Sequence, residues 1–221
     1  MIPQMDFERA RFNMVEQQIR TWEVLDQRVL DLLLQVRREE FVPPAYRELA
    51  FADMEIPLGH GETMLQPKLE ARMVQELMPA ESDRVLEVGT GSGYMTALLA
   101  TLSGHVYSVD IVGDFSRSAG GRLATHGIRN VTLDVGDAAA GWDKHGPYDA
   151  IVLTGSVPVL SESFRTSLKP GGRLLAVVGE PPVMEAQLIT SAGAGAYNSV
   201  GLFETCIAPL RNAPRPARFV F

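Results

Sequence analysis

The chain has 221 residues, 46% hydrophobic, 21% charged and 7% aromatic, a composition that excludes disordered, collagenous and fibrous classes. Twenty basic against 27 acidic residues leave a net charge of -7, which argues against nucleic acid or an anionic membrane surface as the main partner. The single cysteine, Cys206, can form no intrachain disulfide, no apolar run approaches the roughly 18 residues of a membrane span, and no secretory signal opens the chain. The expectation is a cytoplasmic protein with one domain over residues 1–221, in which 1–80 supply N-terminal helices and a substrate loop and 81–221 an α/β core.

Phe7, Ala10, Met14 and Val15 recur at helical spacing, and Asp26 is placed to cap a second helix with Val29, Leu30, Leu33 and Leu34 on one face. Trp22 and the methionines from Met5 to Met14 read as core. Pro43, Pro44, Pro57, Gly59 and Gly61 mark a loop, after which Pro67 opens a helix bearing Leu69, Met73 and Leu77 that stops near Pro79. From Arg84 onward the apolar runs VLEV, VYSVD, VTLDV, AIVLT and LLAVV alternate with helical stretches, which indicates a doubly wound, mostly parallel sheet covered on both faces. The tract from Ser191 to Gly201 is low in complexity. Beyond Ala208, the prolines 209, 214 and 216 and the final Phe219, Val220 and Phe221 suit a closing edge strand, an extended segment or disorder. Arg211, Arg215 and Arg218 there read as a solvated basic terminus.

The most informative stretch is VLEVGTGSGYMTALLA, Val85 to Ala100, where a buried strand enters Gly89, Gly91 and Gly93 and then a helix. Glycines let the backbone turn sharply and approach a ligand closely. A dinucleotide fingerprint would space them G-x-G-x-x-G, whereas here the spacing is G-x-G-x-G and position 94 is Tyr94. Glu87, just before the first glycine, would repel a phosphate and attract an amine or sulfonium, which favours S-adenosylmethionine. Asp110 ends the next strand, where a carboxylate can accept both ribose hydroxyls of an adenosine, and Asp137 follows the third strand, in reach of an adenine amino group. The expected cofactor set is Glu87, Gly89, Thr90, Gly91, Gly93, Asp110, Ile111, Asp137 and Ala138.

These pieces, with MVEQQI at Met14, EEFVPPAYRELAFADMEIPLGHGETMLQP from Glu39 to Pro67 and YDAIVLTGSVP from Tyr148 to Pro158, resemble the protein-L-isoaspartate O-methyltransferase family from about Met14 to Pro209. The glycine loop alone marks a class I methyltransferase, while the segment from Phe41 to Pro67 is peculiar to this family. The resemblance implies a class I methyltransferase fold with an unusual order of its last strands, S-adenosylmethionine as methyl donor and a protein acceptor carrying an isomerised aspartate. It also implies that Tyr46 and Arg47 match a family pair, with Arg47 able to meet a substrate carboxylate as a bidentate donor or else to pair with Glu48 or Asp53. Where the family loop reads Q-T-I-S-Q-P, this chain has Glu62, Thr63, Met64, Leu65, Gln66 and Pro67. The family serine, which lies beside the acceptor carboxylate, is thus Leu65, and Glu62 brings a negative charge where the family has glutamine. Milder departures are Ala138 in G-D-A and Asp110 in V-D.

Methyl transfer to a carboxylate needs no general base, because an acid of pKa about 4 is ionised at neutral pH. Thr63, Leu65 and Gln66 are expected to line the acceptor side, with Tyr46, Arg47, His60 and Glu62 as substrate contacts and Thr63 as the nearest hydroxyl to replace the serine. Two alternatives stay open. A phenol or alcohol acceptor, an unidentified small molecule, would call for His60 or Glu62 as base. A chain that has lost turnover because of Leu65 would be a cofactor-binding module. His105, His126 and His145 lie on separate connections, so no metal is expected.

Overall fold

A computed structural model describes residues 5–216; Arg218, Phe219, Val220 and Phe221 lie outside the described residues. Helix α1 (Phe7–Met14) is capped by Asp6, whose carboxylate accepts from the Arg9 N–H, and continues into a π-helical turn at Val15–Ile19. Helix α2 (Gln27–Gln35) is capped by Asp26 in the same way and buries Val29, Leu30, Leu32 and Leu33. Leu32 therefore replaces Leu34, which is exposed: both flank the apolar stripe, and the side on which the next helices pack decides between them. The expected loop around Gly59 is a hairpin, with β1 (Ile56–Gly59) antiparallel to β2 (Glu62–Met64) and His60 at positive φ in the turn. Helix α3 (Pro67–Leu77) follows with Pro67 in its first turn.

The rest is an alternation of strands and helices: β3 (Arg84–Val88), α4 (Tyr94–Leu102), β4 (His105–Asp110), α5 (Gly113–Thr125), β5 (Val131–Val135), β6 (Tyr148–Leu153), α6 (Glu162–Thr166) and β7 (Leu168–Glu180). The chain then forms a long hairpin of β8 (Val183–Gly193) and β9 (Ala196–Thr205), and its turn contains the low-complexity residues Ala194 and Gly195. The seven strands are ordered β5-β4-β3-β6-β7-β8-β9. Pairs up to β6–β7 are parallel, and the last two are antiparallel, so β7, β8 and β9 lie side by side in chain order.

Strand alternation sorts the core into two clusters. Val85, Val106, Ala150, Val152, Leu175 and Val177 pack with α2, α3, α4 and α5, while Leu86, Val88, Ile151, Leu153, Leu174 and Ala176 meet Phe164 of α6. The order of the strands reverses beside β3, the first strand of the alternating region, with β4 on one side and β6 on the other. The crevice beyond the carboxyl ends of these strands is where such sheets bind ligands. Among the described residues no helix is long and apolar enough to cross a membrane.

Candidate active site

A cavity of about 100 Å³ opens at that crevice, above the carboxyl ends of β3, β4, β5 and β6. Its floor is the glycine loop. Gly89 has φ +100°, and a Cβ there would stand 2.2 Å from the Thr154 hydroxyl, which donates to the carbonyls of Val88 and Gly89 at 2.9 and 2.8 Å. Only glycine fits that close approach of two strand ends. Gly93 does a different job and does not line the cavity: its Cβ would come within 2.8 Å of Ala119 Cβ, so it lets α4 begin against α5.

Asp110, at the end of β4, lines the cavity with one oxygen accepting from the Gly91 N–H at 2.9 Å and the other from the Val112 N–H at 2.8 Å. Burial holds its carboxyl above the usual range, against the lowering effect of those two donors. Asp137, beyond β5, accepts from its neighbour Ala139 and from the side chain of Asn212 at 2.8 Å. Ile111 and Ala138 line the wall beside these two acids, and Phe115 adds an aromatic surface. From the other side come Thr63 and Leu65, two residues apart on the strand-like segment and so facing the same way. Thr63 Oγ1 donates to Glu55 Oε2 at 2.9 Å, and Leu65 is almost fully buried. Glu62, at the rim, pairs with Arg211 at 2.6 Å.

Several expected positions fall elsewhere. Glu87 does not reach the cavity: it shares strand parity with Val85, so it points into the core on the α3–α4 face, fully buried, and accepts from Thr96 Oγ1 at 2.5 Å. Burial pushes its carboxyl up to about 8, which favours the neutral form near pH 7. Gln66 precedes α3 and is absent from the lining, as are Tyr46 and Arg47. Arg47 instead stacks over the Phe7 ring at 5.0 Å, while Asp53 pairs with Lys68 at 2.7 Å. His60 is not among the lining residues: its ring meets that of Phe115 at nearly a right angle, 5.4 Å between centres, and its Nε2 is 3.5 Å from Asp114. Thr90 lines a smaller lobe behind the main cavity, and its hydroxyl shares a hydrogen with Ser108 at 2.6 Å.

The segment after β9 is the largest addition to what the sequence suggested. Ala208 accepts from the Ser156 N–H and Ser156 accepts from the Leu210 N–H, both at 2.9 Å, which lays residues 208–212 across the cavity mouth. Arg211 is thus no solvated terminus: it binds Glu62 and the His60 carbonyl, while Asn212 binds Asp137. Thr154 and Gly155, also in the lining, were legible as residues at the end of a strand beside the order reversal, and Arg211 had no such signal.

The residues present suit a cationic adenosine. Glu62, Asp110 and Asp137 line the cavity against one guanidinium, Arg211, and no lysine that could hold a phosphate is among them.

A family model for protein-L-isoaspartate(D-aspartate) O-methyltransferase matches residues 9–204. A protein-L-isoaspartate O-methyltransferase 1 of Rhodopseudomonas palustris (strain HaA2) is 43% identical over 173 residues, 78% of this chain and 71% of its own. A protein-L-isoaspartate O-methyltransferase of Xanthomonas euvesicatoria is 38% identical over 206 residues, 93% of this chain and 91% of the relative. In fold, the chain superposes with TM-score 0.79 on a Plasmodium falciparum protein assigned as a protein-L-isoaspartate O-methyltransferase and solved with S-adenosyl-L-homocysteine, at 21% identity over 94% of this chain and 99% of that one. The match over residues 9–204 and the identity carried across most of the length make this chain a member of the protein-L-isoaspartate(D-aspartate) O-methyltransferase family.

Proposed function

We propose that this protein transfers a methyl group from S-adenosylmethionine to the carboxylate of isoaspartyl residues in proteins or peptides, as one cytoplasmic methyltransferase domain over residues 1–221 serving protein repair. The observation that carries this reading is the cavity itself, in which Asp110 and Asp137 at two strand ends face Thr63 and Leu65 across the glycine loop. Gly89, Gly91, Asp110, Ile111, Asp137 and Ala138 would hold the donor's adenosine half, and Thr63, Leu65 and Glu62 would border the acceptor.

The bound donor supplies a methyl group on a sulfonium, already activated toward a carboxylate. The chain's own residues have three tasks. Asp110, kept in place by the Gly91 and Val112 N–H groups, orients a diol without moving when the ligand arrives. Leu65 and the strap of residues 208–212 exclude water from the acceptor side, which strengthens the attraction between opposite charges. Arg211 holds Glu62, so the charge that this chain carries in place of the family glutamine is neutralised at the rim and does not repel an anionic acceptor. Thr63 is the side-chain hydroxyl nearest Leu65 on the acceptor segment, and its present partner, Glu55, leaves its lone pairs free for a water or amide while its proton is engaged.

The test is methyl transfer from labelled S-adenosylmethionine to one peptide in aspartyl and isoaspartyl forms. Labelling confined to the isoaspartyl form supports the reading. Donor binding with neither peptide labelled overturns the acceptor assignment and turns the search to small molecules.

A further inference from the structure

A second cavity, of about 340 Å³, lies against the strap at the carboxyl ends of β6 and β7. Pro209 and Leu210 line both this cavity and the donor cavity, so the strap is the wall they share. Leu210 packs there on Gly155, where a Cβ would stand 2.8 Å from its Cδ2. The remaining walls include Pro158 after β6, Pro181 in the turn between β7 and β8, and Ala213, with the buried Met184 beneath them. Glu180 and Arg215 bring one charge of each sign to the lining, so the cavity has no net charge with which to select an ion.

We infer that this cavity receives an apolar side chain of the acceptor polypeptide, from a residue close in sequence to the isoaspartate. The inference rests on the isoaspartyl reading of the donor cavity and deepens it.

Three observations converge on that occupant. Asp110 and Asp137 place the adenosine half of the donor over β4 and β5, which leaves the opposite side of the crevice, over β6 and β7, for the acceptor chain, and the second cavity opens on that side. Leu210 stands between the two cavities, and a protein acceptor is continuous on both sides of its reacting residue. An extended chain advances about 3.3 Å per residue, so a neighbour about two positions away clears the width of one leucine side chain. The lining also suits an apolar group. Pro158, Pro181 and Pro209 have fixed φ and need little ordering when a ligand arrives, while the flexible side chain of Met184 adapts to partners of different shape. A charged side chain would lose its water here without gaining a net opposite charge.

The experiment is labelled methyl transfer to a set of isoaspartyl peptides otherwise built of glycine and serine, in which leucine replaces one residue at a time on either side of the isoaspartate. Wild type is expected to show kcat/KM raised about tenfold, the worth of burying most of one leucine side chain, at one position within about two residues of the isoaspartate and nearly unchanged elsewhere. Ala213→Trp and Pro158→Trp, which fill the cavity from two separate segments, should each cut that preference to about twofold or less, with S-adenosylhomocysteine binding by calorimetry as the check on folding. A leucine effect at no position, one of equal size at every position, or one unchanged in both variants overturns the inference. So does a preference that appears only when the chain is cut after Pro216, which would make residues 217–221 of this chain the occupant. The wild-type scan stands without either variant, so poor folding of both does not spare the inference. Labelling of every isoaspartyl peptide alike leaves the isoaspartyl reading standing and overturns only this one. If no isoaspartyl peptide is labelled while S-adenosylhomocysteine binds, the acceptor reading itself fails, and this inference falls with it.

Discussion

Gly89→Ala tests how tightly the ends of β3 and β6 are joined beneath the site. The new methyl group would sit 2.2 Å from Thr154 Oγ1 on a residue with φ +100°. Holding alanine at that φ costs about 1–3 kcal/mol. Relieving the clash turns the Thr154 hydroxyl away from the Val88 and Gly89 carbonyls, which adds about 1–2 kcal/mol for the lost hydrogen bonding. The expected loss is about 3 kcal/mol, a large share of the 5–15 kcal/mol that domains generally possess. Urea unfolding by linear extrapolation measures it, and a double-mutant cycle isolates the contact. In a Thr154→Ala background the nearest remaining Thr154 atom, Cβ, is at an ordinary 3.6 Å, so the glycine substitution should cost about 1–2 kcal/mol less than in wild type. Additivity of the two substitutions within about 0.5 kcal/mol would refute the reasoning, because it would mean that the hydroxyl and the new methyl never meet.

Glu87 makes stability depend on pH in a direction opposite to that of a paired surface acid. Its carboxyl titrates near 4.5 in an unfolded chain and near 8 in the fold, so in that window the folded state holds the extra proton and stability falls as pH rises. The slope is at most about 1.4 kcal/mol per pH unit, and Glu87→Gln, which imitates the neutral acid, should flatten it; identical pH profiles for variant and wild type would show that the group is not buried neutral. Arg38→Met should lose about 3–5 kcal/mol in urea, and adding Glu70→Leu should recover part of it, because an unpaired buried charge costs more than an absent pair. If the double variant is no more stable than the single one, the carbonyls of Ala50 and Leu65 account for the loss. Leu65→Ser removes a buried side chain at a cost of about 2–4 kcal/mol but should speed transfer to an isoaspartyl peptide by about tenfold, the worth of one hydrogen bond formed to the reacting carboxylate. Equal rates at saturating donor would show that the hydroxyl has no place in this site.

Much of the architecture was written locally along the chain. The apolar runs from Val85 to Val178 announced parallel strands because a strand buried on both faces reads as a nearly continuous apolar run, and Pro67 marked the start of α3 because its fixed φ suits a first turn. The spacing Gly89, Gly91, Gly93 and the acids Asp110 and Asp137 at strand ends located the crevice for the same reason: each signal depends on a residue and its immediate neighbours.

What the sequence could not decide was direction and company. Glu87 is two residues before Gly89 whichever way it points, and only the covering of β3 by α3 and α4 makes its face the core and raises its carboxyl toward the neutral form. Tyr46, Arg47 and His60 belong to matched or suggestive segments, yet Tyr46 packs against the core, Arg47 stacks on Phe7 of α1 and His60 meets Phe115. Arg211 looked like part of a basic tail until the pairing of residues 208–210 with Ser156 carried it back over the mouth to Glu62, 149 positions earlier. Periodicity and spacing report on forces between neighbours in the chain, and so they determine elements and their ends. Burial and charge pairing are properties of the packed whole, and only the tertiary structure settles them.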